Sequence, residues 1–527
     1  MSRRYDAVIV GSGINSLVAA ALLARSGWSV CVLERNEWLG GAIRTAEISE
    51  TGFLHEVFAA WHPLFTGSAA YAELKDELDA RGVEYLNTEL PTATLFPDGD
   101  SVFLTSDHDA NVAALGPGWA RTVERFMPNA DLAFGVLSTE LWSRDGLRLG
   151  TKALRRLGRR GLIEFAGNTL TSCRDWTAET FEDERAHGLF APWVLHTGLG
   201  PDAASSGFMA QVIGVAIELG GMPVPRGGGV KLVEALTGIV RDAGGVCETG
   251  RNVERVLVSD GRARGVRTRD GEEYEATRAV LANVTPQQLY GELLGGDGPA
   301  EEARRFRFGR GEMQIHFALA EPPRWQGDER LGRTAIVHLT PGLDGVSRAV
   351  NEAERGLLQA EATVVVGQPM AADPSRAPEG AWILWIQLQE VPSRPKGDAA
   401  GELHAGDGTW TEELREAYAD RIQARIARHA PNLESALLRR VVLSPADIEA
   451  ANVNMVGGDI YAGSCALDQN LLWRPRPGLP GHRTHVAGLW HIGASTHPGP
   501  GLGAGSGTLV AKELLRPSLP RRLLSRS

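Results

Sequence analysis

The apolar positions of the chain come in short runs broken by glycine. Tyr5-Asp6-Ala7-Val8-Ile9-Val10 is rich in β-branched residues, the pattern of a parallel strand buried on both faces. It stops at Gly11-Ser12-Gly13-Ile14-Asn15-Ser16, after which Leu17 to Ser26 reads as an Ala- and Leu-rich helix. A second strand, Ser29 to Leu33, follows a turn at Gly27-Trp28 and ends at Glu34. That order of strand, glycine turn, helix, strand and acid predicts a dinucleotide site at the start of a βαβ unit. Gly11 permits the tight turn, and Gly13 lets backbone approach a pyrophosphate whose charge meets the helix N-terminus. The third position, ordinarily Gly or Ala, is Ser16, small enough for close helix packing. Glu34 can accept hydrogen bonds from ribose hydroxyls and repels a 2′-phosphate.

Two later segments repeat this punctuation. Pro225-Arg226-Gly227-Gly228-Gly229-Val230 introduces an amphipathic helix (Leu232, Leu236, Ile239, Val240), followed by short strands joined by Asp260-Gly261 and Asp270-Gly271 hairpin turns. A last strand, Ala279 to Ala282, stops at Asn283. Near the C-terminus, His485 to Gly493 reads as a strand that runs into glycines 499, 501, 503, 505 and 507 and a helix from about Thr508 to Leu515. Backbone N–H groups of such a run can crowd a ligand and stabilise negative charge. Gly493-Ala494-Ser495-Thr496-His497 has histidine where a G-x-S-x-G nucleophile elbow needs glycine, so a serine hydrolase is set aside.

In the remainder, Gly311 to Leu319 alternates, with Met313, Ile315, Phe317 and Leu319 on one face and Gln314 and His316 opposite; Trp382 to Gln389 is a second such strand. This sheet is either the wall of a substrate cavity or packs its apolar face on helices. Gln368 to Gly380 and Val391 to Thr409 are expected to be exposed loops and candidate lids. Lys152, Arg155, Arg156, Arg159 and Arg160 lie in a helical stretch with Leu154, Leu157, Leu162 and Ile163. That stretch is either a solvated face or one that rests on an anionic membrane. The C-terminal Arg516, Arg521, Arg522 and Arg526 pose the same choice.

Composition narrows the options. A net charge of -11 over 527 residues gives no bulk positive field, so nucleic acid is not expected as a partner. The four cysteines, Cys31, Cys173, Cys247 and Cys465, are far apart, which argues against a disulfide framework, a metal site and a dithiol centre. The N-terminus lacks the pattern of a signal peptide, and Phe208 to Ile217 is too short to span a bilayer. The protein is expected in the cytoplasm, with peripheral contact at a membrane surface left open.

Glu34-Arg35 is followed within a few residues by Gly40-Gly41 and Arg44-Thr45, a second glycine turn that suits a long FAD; Thr496-His497-Pro498-Gly499-Pro500-Gly501 matches a T-H-P-G-x-G signature. With Gly457-Gly458-Asp459-Ile460, Leu467-Asp468-Gln469 and Arg474-Pro475, these motifs resemble the phytoene desaturase and phytoene dehydrogenase-related family within the amine oxidase and carotenoid desaturase superfamily. The resemblance implies an α/β fold: a discontinuous Rossmann-like FAD-binding domain (1–95, 225–290 and 480–516), an α+β substrate domain with an antiparallel sheet (96–224 and 291–479), and a basic tail (517–527). It implies a FAD cradle of Gly11, Gly13, Ile14, Asn15, Ser16, Glu34, Arg35, Gly40, Gly41, Ala42, Arg44, Val253, Asn283, Gly493, Ala494, His497, Pro498, Gly501, Leu502 and Gly503.

His497, beside the glycine loop, and His62, in Trp61-His62-Pro63, are the polar candidates to meet substrate, each with a structural role as its alternative. The expected activity is hydride transfer from an apolar substrate, polyene or isoprenoid in character, to flavin. No second dinucleotide motif serves NADPH, so oxygen or a quinone is expected as electron acceptor. An oxidase of an amine or secondary metabolite, and a flavin-containing scaffold without turnover, stand as the other readings. A long apolar tunnel reaching the surface near Lys152 favours the desaturase.

Overall fold

The computed structural model describes residues 3–479 and 481–516, so Arg521, Arg522, Arg526 and the basic tail lie outside the described residues. The chain opens with β1 (Arg3–Val10), α1 (Ile14–Arg25) and β2 (Val30–Leu33). Parallel pairing in register Ala7 to Val30 through Val10 to Leu33 buries all of β2 and the last four residues of β1. Helix α1 is buried along almost its whole length; its alanines let it lie close to neighbouring backbone.

Further along lies a two-strand hairpin, β3 (Thr92–Leu95) and β4 (Ser101–Leu104), and among the helices after it are α2 (Ala130–Ser138), α3 (Arg144–Asn168) and α4 (Ser206–Gly220). The chain returns to the first sheet through α5 (Val230–Asp242), β5 (Val246–Glu248), β6 (Val253–Ser259), β7 (Arg262–Thr268) and β8 (Glu273–Asn283). Asp260 and Gly261 (φ 53° and 69°) and Gly271 (φ 86°) take the left-handed conformations that their hairpin turns demand. Strand order in this sheet is β6-β7-β8-β1-β2-β5, and β14 (Leu489–Ile492) joins in parallel on the C-terminal half of β8. Three remote stretches thus build one Rossmann-like sheet, and α7 (Gly505–Leu515) packs back on α1.

The second sheet comprises β3 and β4 with β9 (Gly311–Leu319), β10 (Ile336–Leu339), β11 (Val364–Gly367), β12 (Trp382–Val391) and β13 (Leu437–Leu443), in the order β13-β9-β12-β11-β10-β3-β4. All pairings are antiparallel except that of β3 with β10. Met313, Ile315, Phe317 and Leu319 of β9 and Leu384, Ile386 and Leu388 of β12 bury one face against Leu414, Tyr418, Ile422 and Ile426 of α6 (Glu412–Ala427). The other face, carrying Glu312, Gln314, Gln387 and Gln389, turns inward and is also buried.

The structure departs from the sequence reading in four places. Thr92–Leu95, expected with the first segment, pairs into the second sheet. His485 to Gly488 is turn, with Gly488 at φ 76°, and only Leu489–Ile492 is strand. Helix α7 begins at Gly505, ahead of Thr508. Residues 368–380 are not a simple exposed loop: Gln368, Asp373 and Arg376 are fully buried. Arg376 there donates to Glu56 (2.6 Å), Asp373 (3.0 Å) and the Pro225 carbonyl (2.7 Å), a closed ionic cluster that no local pattern announces.

Candidate functional site

The turn between β1 and α1 is shaped for a ligand. Gly11 sits at φ 83°, a conformation that favours glycine. Gly13 is the N-cap of α1 and supplies no side-chain hydrogen bond, which leaves first-turn N–H groups for an anionic partner. The second glycine turn closes over the first. Gly40 pairs with Gly13 as an isolated bridge, and a Cβ on Gly41 would lie 3.0 Å from the Gly13 Cα. At the end of β2, Glu34 accepts from the Ser12 N–H (2.9 Å) and hydroxyl (2.7 Å) through Oε2, and from the Asn36 N–H (2.9 Å) through Oε1. These bonds fix the carboxylate beside the turn.

Asn283, the last residue of β8, ties the three stretches together. Its Nδ2 donates to the Ser16 hydroxyl (3.0 Å), so the serine at the third motif position holds the mid-chain strand. A Cβ on Gly493 would fall 2.1 Å from Asn283 Oδ1, and one on Gly507 would fall 1.9 Å from the Asn15 carbonyl oxygen. The Gly507 N–H donates to Asn15 Oδ1 (3.1 Å), and Asn454 Nδ2 donates to the Asn283 carbonyl (3.0 Å). The N-terminal and C-terminal glycine loops therefore meet on one side of the fold.

One cavity of about 2270 Å³ runs through this junction. Pockets for a drug-sized ligand measure roughly 300–1,000 Å³, so this cavity is larger than one such molecule needs. Of the residues expected at the cofactor, Gly11, Gly13, Ile14, Asn15, Glu34, Arg35, Gly40, Gly41, Ala42, Val253, Asn283, Ala494, Pro498, Gly501, Leu502 and Gly503 line it. Ser16 and Gly493 stand behind the lining and brace Asn283, while Arg44 lies over the Trp38 ring, 3.8 Å from its centroid.

Beyond the glycine loops the cavity becomes apolar. Leu132, Phe134 and Leu137 of α2 form one wall, Leu149, Ala153, Leu162 and Phe165 of α3 a second, and Phe208, Met209, Val212, Ile213, Ala216 and Leu219 of α4 a third. The α4 stripe repeats every three to four residues, so one helix face meets the lumen. Leu64, Phe134, Leu170, Leu219, Leu472 and Trp473 line the cavity and are also exposed, which marks its mouth.

Neither His62 nor His497 is among the residues that line the cavity, and both rings engage protein partners, as in the structural role set beside their candidacy. His62 is fully buried, with Nδ1 3.0 Å from the Tyr85 hydroxyl, and burial next to the Arg376 charge lowers its pKa to about 3. His497 donates from Nε2 to the Thr139 carbonyl (2.9 Å), and its own carbonyl accepts from His482 Nε2 (2.8 Å). It fastens the α2–α3 connection to the glycine loop. No residue of 368–380 or 391–409 lines the cavity.

The sequence reading passed over Glu312. It is 2% exposed, yet it lines the cavity from β9 and accepts from Gln314 Nε2 on Oε1 and Gln387 Nε2 on Oε2, each at 2.7 Å. Burial pushes its pKa up to about 8; the two amides pull it down, and the Asp459 charge adds to the rise. An acid on the polar face of a strand whose other face is wholly apolar was the available signal. Among the described residues no group of side chains could hold a metal, and the four cysteines are free.

Comparison with known proteins agrees with this geometry. Residues 9–78 match the model of the NAD(P)-binding Rossmann-like domain. The chain is 27% identical to mouse (Mus musculus) pyridine nucleotide-disulfide oxidoreductase domain-containing protein 2, over 97% of this chain and 93% of that protein. It is 25% identical to the lycopene-forming phytoene desaturase of Pseudescherichia vulneris, over 94% and 95%. Its fold is that of a putrescine oxidase structure, with a TM-score of 0.61 at 16% identity over 98% and 99% of the two chains.

Proposed function

We propose, on the premise that this chain is an oxidoreductase related along its whole length to the phytoene desaturases, that it is an FAD-dependent dehydrogenase of a long apolar substrate. One observation carries this reading. A single cavity joins the glycine cradle to a chamber walled by α2, α3 and α4, and Leu149, Gly150 and Ala153, the neighbours of Lys152 on α3, are part of its lining. Polyenes and isoprenoids fit such a chamber.

The residues present suit FAD. The uncapped α1 terminus and Gly13 would receive its pyrophosphate, and Glu34 its adenosine ribose. The loop 494–505, with the N-terminus of α7 behind it, would flank its ring end. When bound, FAD supplies a two-electron acceptor for hydride. The chain's own part is to hold a C–H bond against that ring and to exclude water, which the apolar walls do. Oxygen or a quinone would then take the electrons.

An amine oxidase is the second reading, favoured by the edge-to-face pair Trp61 and Trp385 in the cavity (centroids 5.1 Å apart). It is disfavoured because the apolar half offers a single carboxyl, Glu312, held mostly uncharged at neutral pH and so a poor partner for an ammonium group.

The mouth also fits a lipid surface. No residue of α3 is buried, and Trp142, Leu147, Leu154 and Ile163 are 74%, 73%, 42% and 73% exposed. Lys152 and Arg156 pair with Asp131 in this same region, and Arg155 and Arg159 add positive charge. Apolar side chains with basic neighbours favour an anionic interface, from which a lipid-like substrate could enter directly. No helix among the described residues is long and apolar enough to cross a membrane.

The test is anaerobic mixing of the yellow protein with polyenes, amines and alcohols while flavin absorbance is followed. Bleaching by polyenes or other isoprenoids is expected; bleaching by amines alone would transfer the case to the second reading.

A further inference from the structure

The apolar half of the cavity contains few groups able to exchange a proton. Its titratable lining residues are His196, Glu312, Tyr461 and Cys465. His196 Nε2 lies 3.1 Å from His338 Nε2, and burial keeps its ring neutral, with a pKa near 3. The Tyr461 hydroxyl donates to the Leu195 carbonyl and burial holds it far above neutrality; burial also pushes Cys465 up to about 11. The remaining acids of the lining, Glu34, Glu254, Glu292 and Glu449, sit in segments grouped about Glu34 and Asn283.

We propose that Glu312 is the proton acceptor of the reaction cavity, the carboxylate that takes the second hydrogen of a dehydrogenated substrate as a proton. This rests on the reading of the protein as a dehydrogenase of an apolar molecule. The sheet aims the group: alternation along β9 puts its apolar residues on α6 and Glu312 in the lumen, and cross-strand pairing of Gln314 with Gln387 sets two amides on its two oxygens. Those amides hold the carboxyl in one rotamer.

The charged or titratable groups around it are Asp459 and Tyr461 from the segment beside the strand, Arg310 before it, and His316 further along against His55. Strand β12 contributes only the neutral Gln387 and Gln389 to this wall besides Trp385. Arg310 is held by Glu354 and by the carbonyls of Gly198 and Leu199, and among the described residues no cation pairs with Glu312.

The step balances. One C–H of the substrate leaves with its electron pair to the oxidised cofactor. The neighbouring C–H loses only its proton, to Glu312, and the electron pair left behind becomes the new C=C bond. Glu312 returns the proton to solvent as the electrons pass to oxygen or a quinone. A carboxyl with a pKa near the working pH is suited to this duty.

The test compares wild type with Glu312→Gln by two readouts. Infrared difference spectra of the FAD-loaded proteins without substrate should show a protonated-carboxyl band in wild type that titrates near pH 8 and is missing from the variant. Anaerobic flavin bleaching by an isoprenoid should quicken up to tenfold per pH unit in wild type and level off above about pH 8; in the variant it should be slower by on the order of 10²–10⁴ and lose that slope. Absence of the band, or equal bleaching with an unchanged pH profile, overturns the proposal and leaves the dehydrogenase standing. If no isoprenoid bleaches even the wild type, the dehydrogenase reading falls and takes this one with it.

Discussion

Gly507→Ala probes the convergence on which the site depends. The added Cβ would lie 1.9 Å from the Asn15 carbonyl oxygen, 2.7 Å from its carbon and 3.0 Å from its Cα, all of them backbone. No rotamer relieves such a clash, so the N-terminus of α7 must move off α1 by about an ångström. Overpacking of this kind costs about 1–3 kcal/mol, occasionally more. The bond from the Gly507 N–H to Asn15 Oδ1 stretches with it, and the cavity-lining residues 501–505 just before it are displaced. A fall in FAD affinity of roughly 10- to 100-fold, about 1.4–2.7 kcal/mol, is expected, together with a lower Tm. Gly167→Ala is the control: a Cβ there meets nothing within 4 Å, and removing glycine from a helix stabilises by roughly 0.5–1 kcal/mol. FAD titration by fluorescence quenching and thermal melts of the apo proteins measure both effects. If Gly507→Ala matched wild type in Kd and Tm, the meeting of the glycine loops would be wrong.

Arg376→Met should leave Glu56 and Asp373 buried without their cation and destabilise by about 3–5 kcal/mol in a denaturant titration; a loss below 1 kcal/mol would show that the cluster is not closed in solution. Glu34→Ala removes both the proposed ribose acceptor and the anchor of the Ser12 N–H, so FAD affinity should drop at least tenfold by isothermal calorimetry while an unchanged Kd would dismiss the adenosine assignment. Replacing Trp142, Leu147 and Ile163 together with glutamate should abolish flotation with anionic vesicles and leave bleaching by detergent-solubilised substrate intact; flotation equal to wild type would remove α3 as the docking face.

The dinucleotide half was legible because its constraints are local. A turn that needs positive φ at Gly11, a helix start that needs Gly13 and an acid at the end of the next strand are all encoded within residues 5–34. The hairpins at Asp260-Gly261 and Asp270-Gly271 were readable for the same reason. The failures are cases where distant partners decide. Nothing beside Arg376 in sequence reveals Glu56, some 320 residues away, so a Pro- and Gly-rich stretch looked exposed. Nearness of His62 and His497 to the cofactor loops fixed neither ring's direction: Tyr85 engages one and the Thr139 carbonyl the other. For β9, alternation separated the two faces correctly but could not say what lay opposite the polar one, and Glu312 was passed over as the strand's first polar residue.

The same carboxyl gives a test that needs no substrate. Its pKa rises from 4.5 to about 8 on folding, because burial favours the neutral form. Below pH 4.5 folded and unfolded chains both hold the proton, and the group does not oppose folding. As pH climbs from 4.5 toward 8 the unfolded chain releases the proton while the folded one keeps it, so stability falls through that window. At 1.36 kcal/mol per pKa unit the shift amounts to a few kcal/mol at pH 8, an upper figure for so buried a group. Glutamine has the shape of the neutral acid and never ionises. Its amide can donate to Gln314 Oε1, which now has no partner, once the Gln314 amide turns. Glu312→Gln should therefore melt at a higher temperature than wild type at pH 8, with the gap closing toward pH 5, even as bleaching slows. A gain in stability coupled to a loss of turnover is the mark of a group kept for chemistry at a cost to the fold. A variant less stable than wild type at pH 8, or equally shifted at both pH values, would show that Glu312 is ionised in the folded protein and would remove the physical basis for its role.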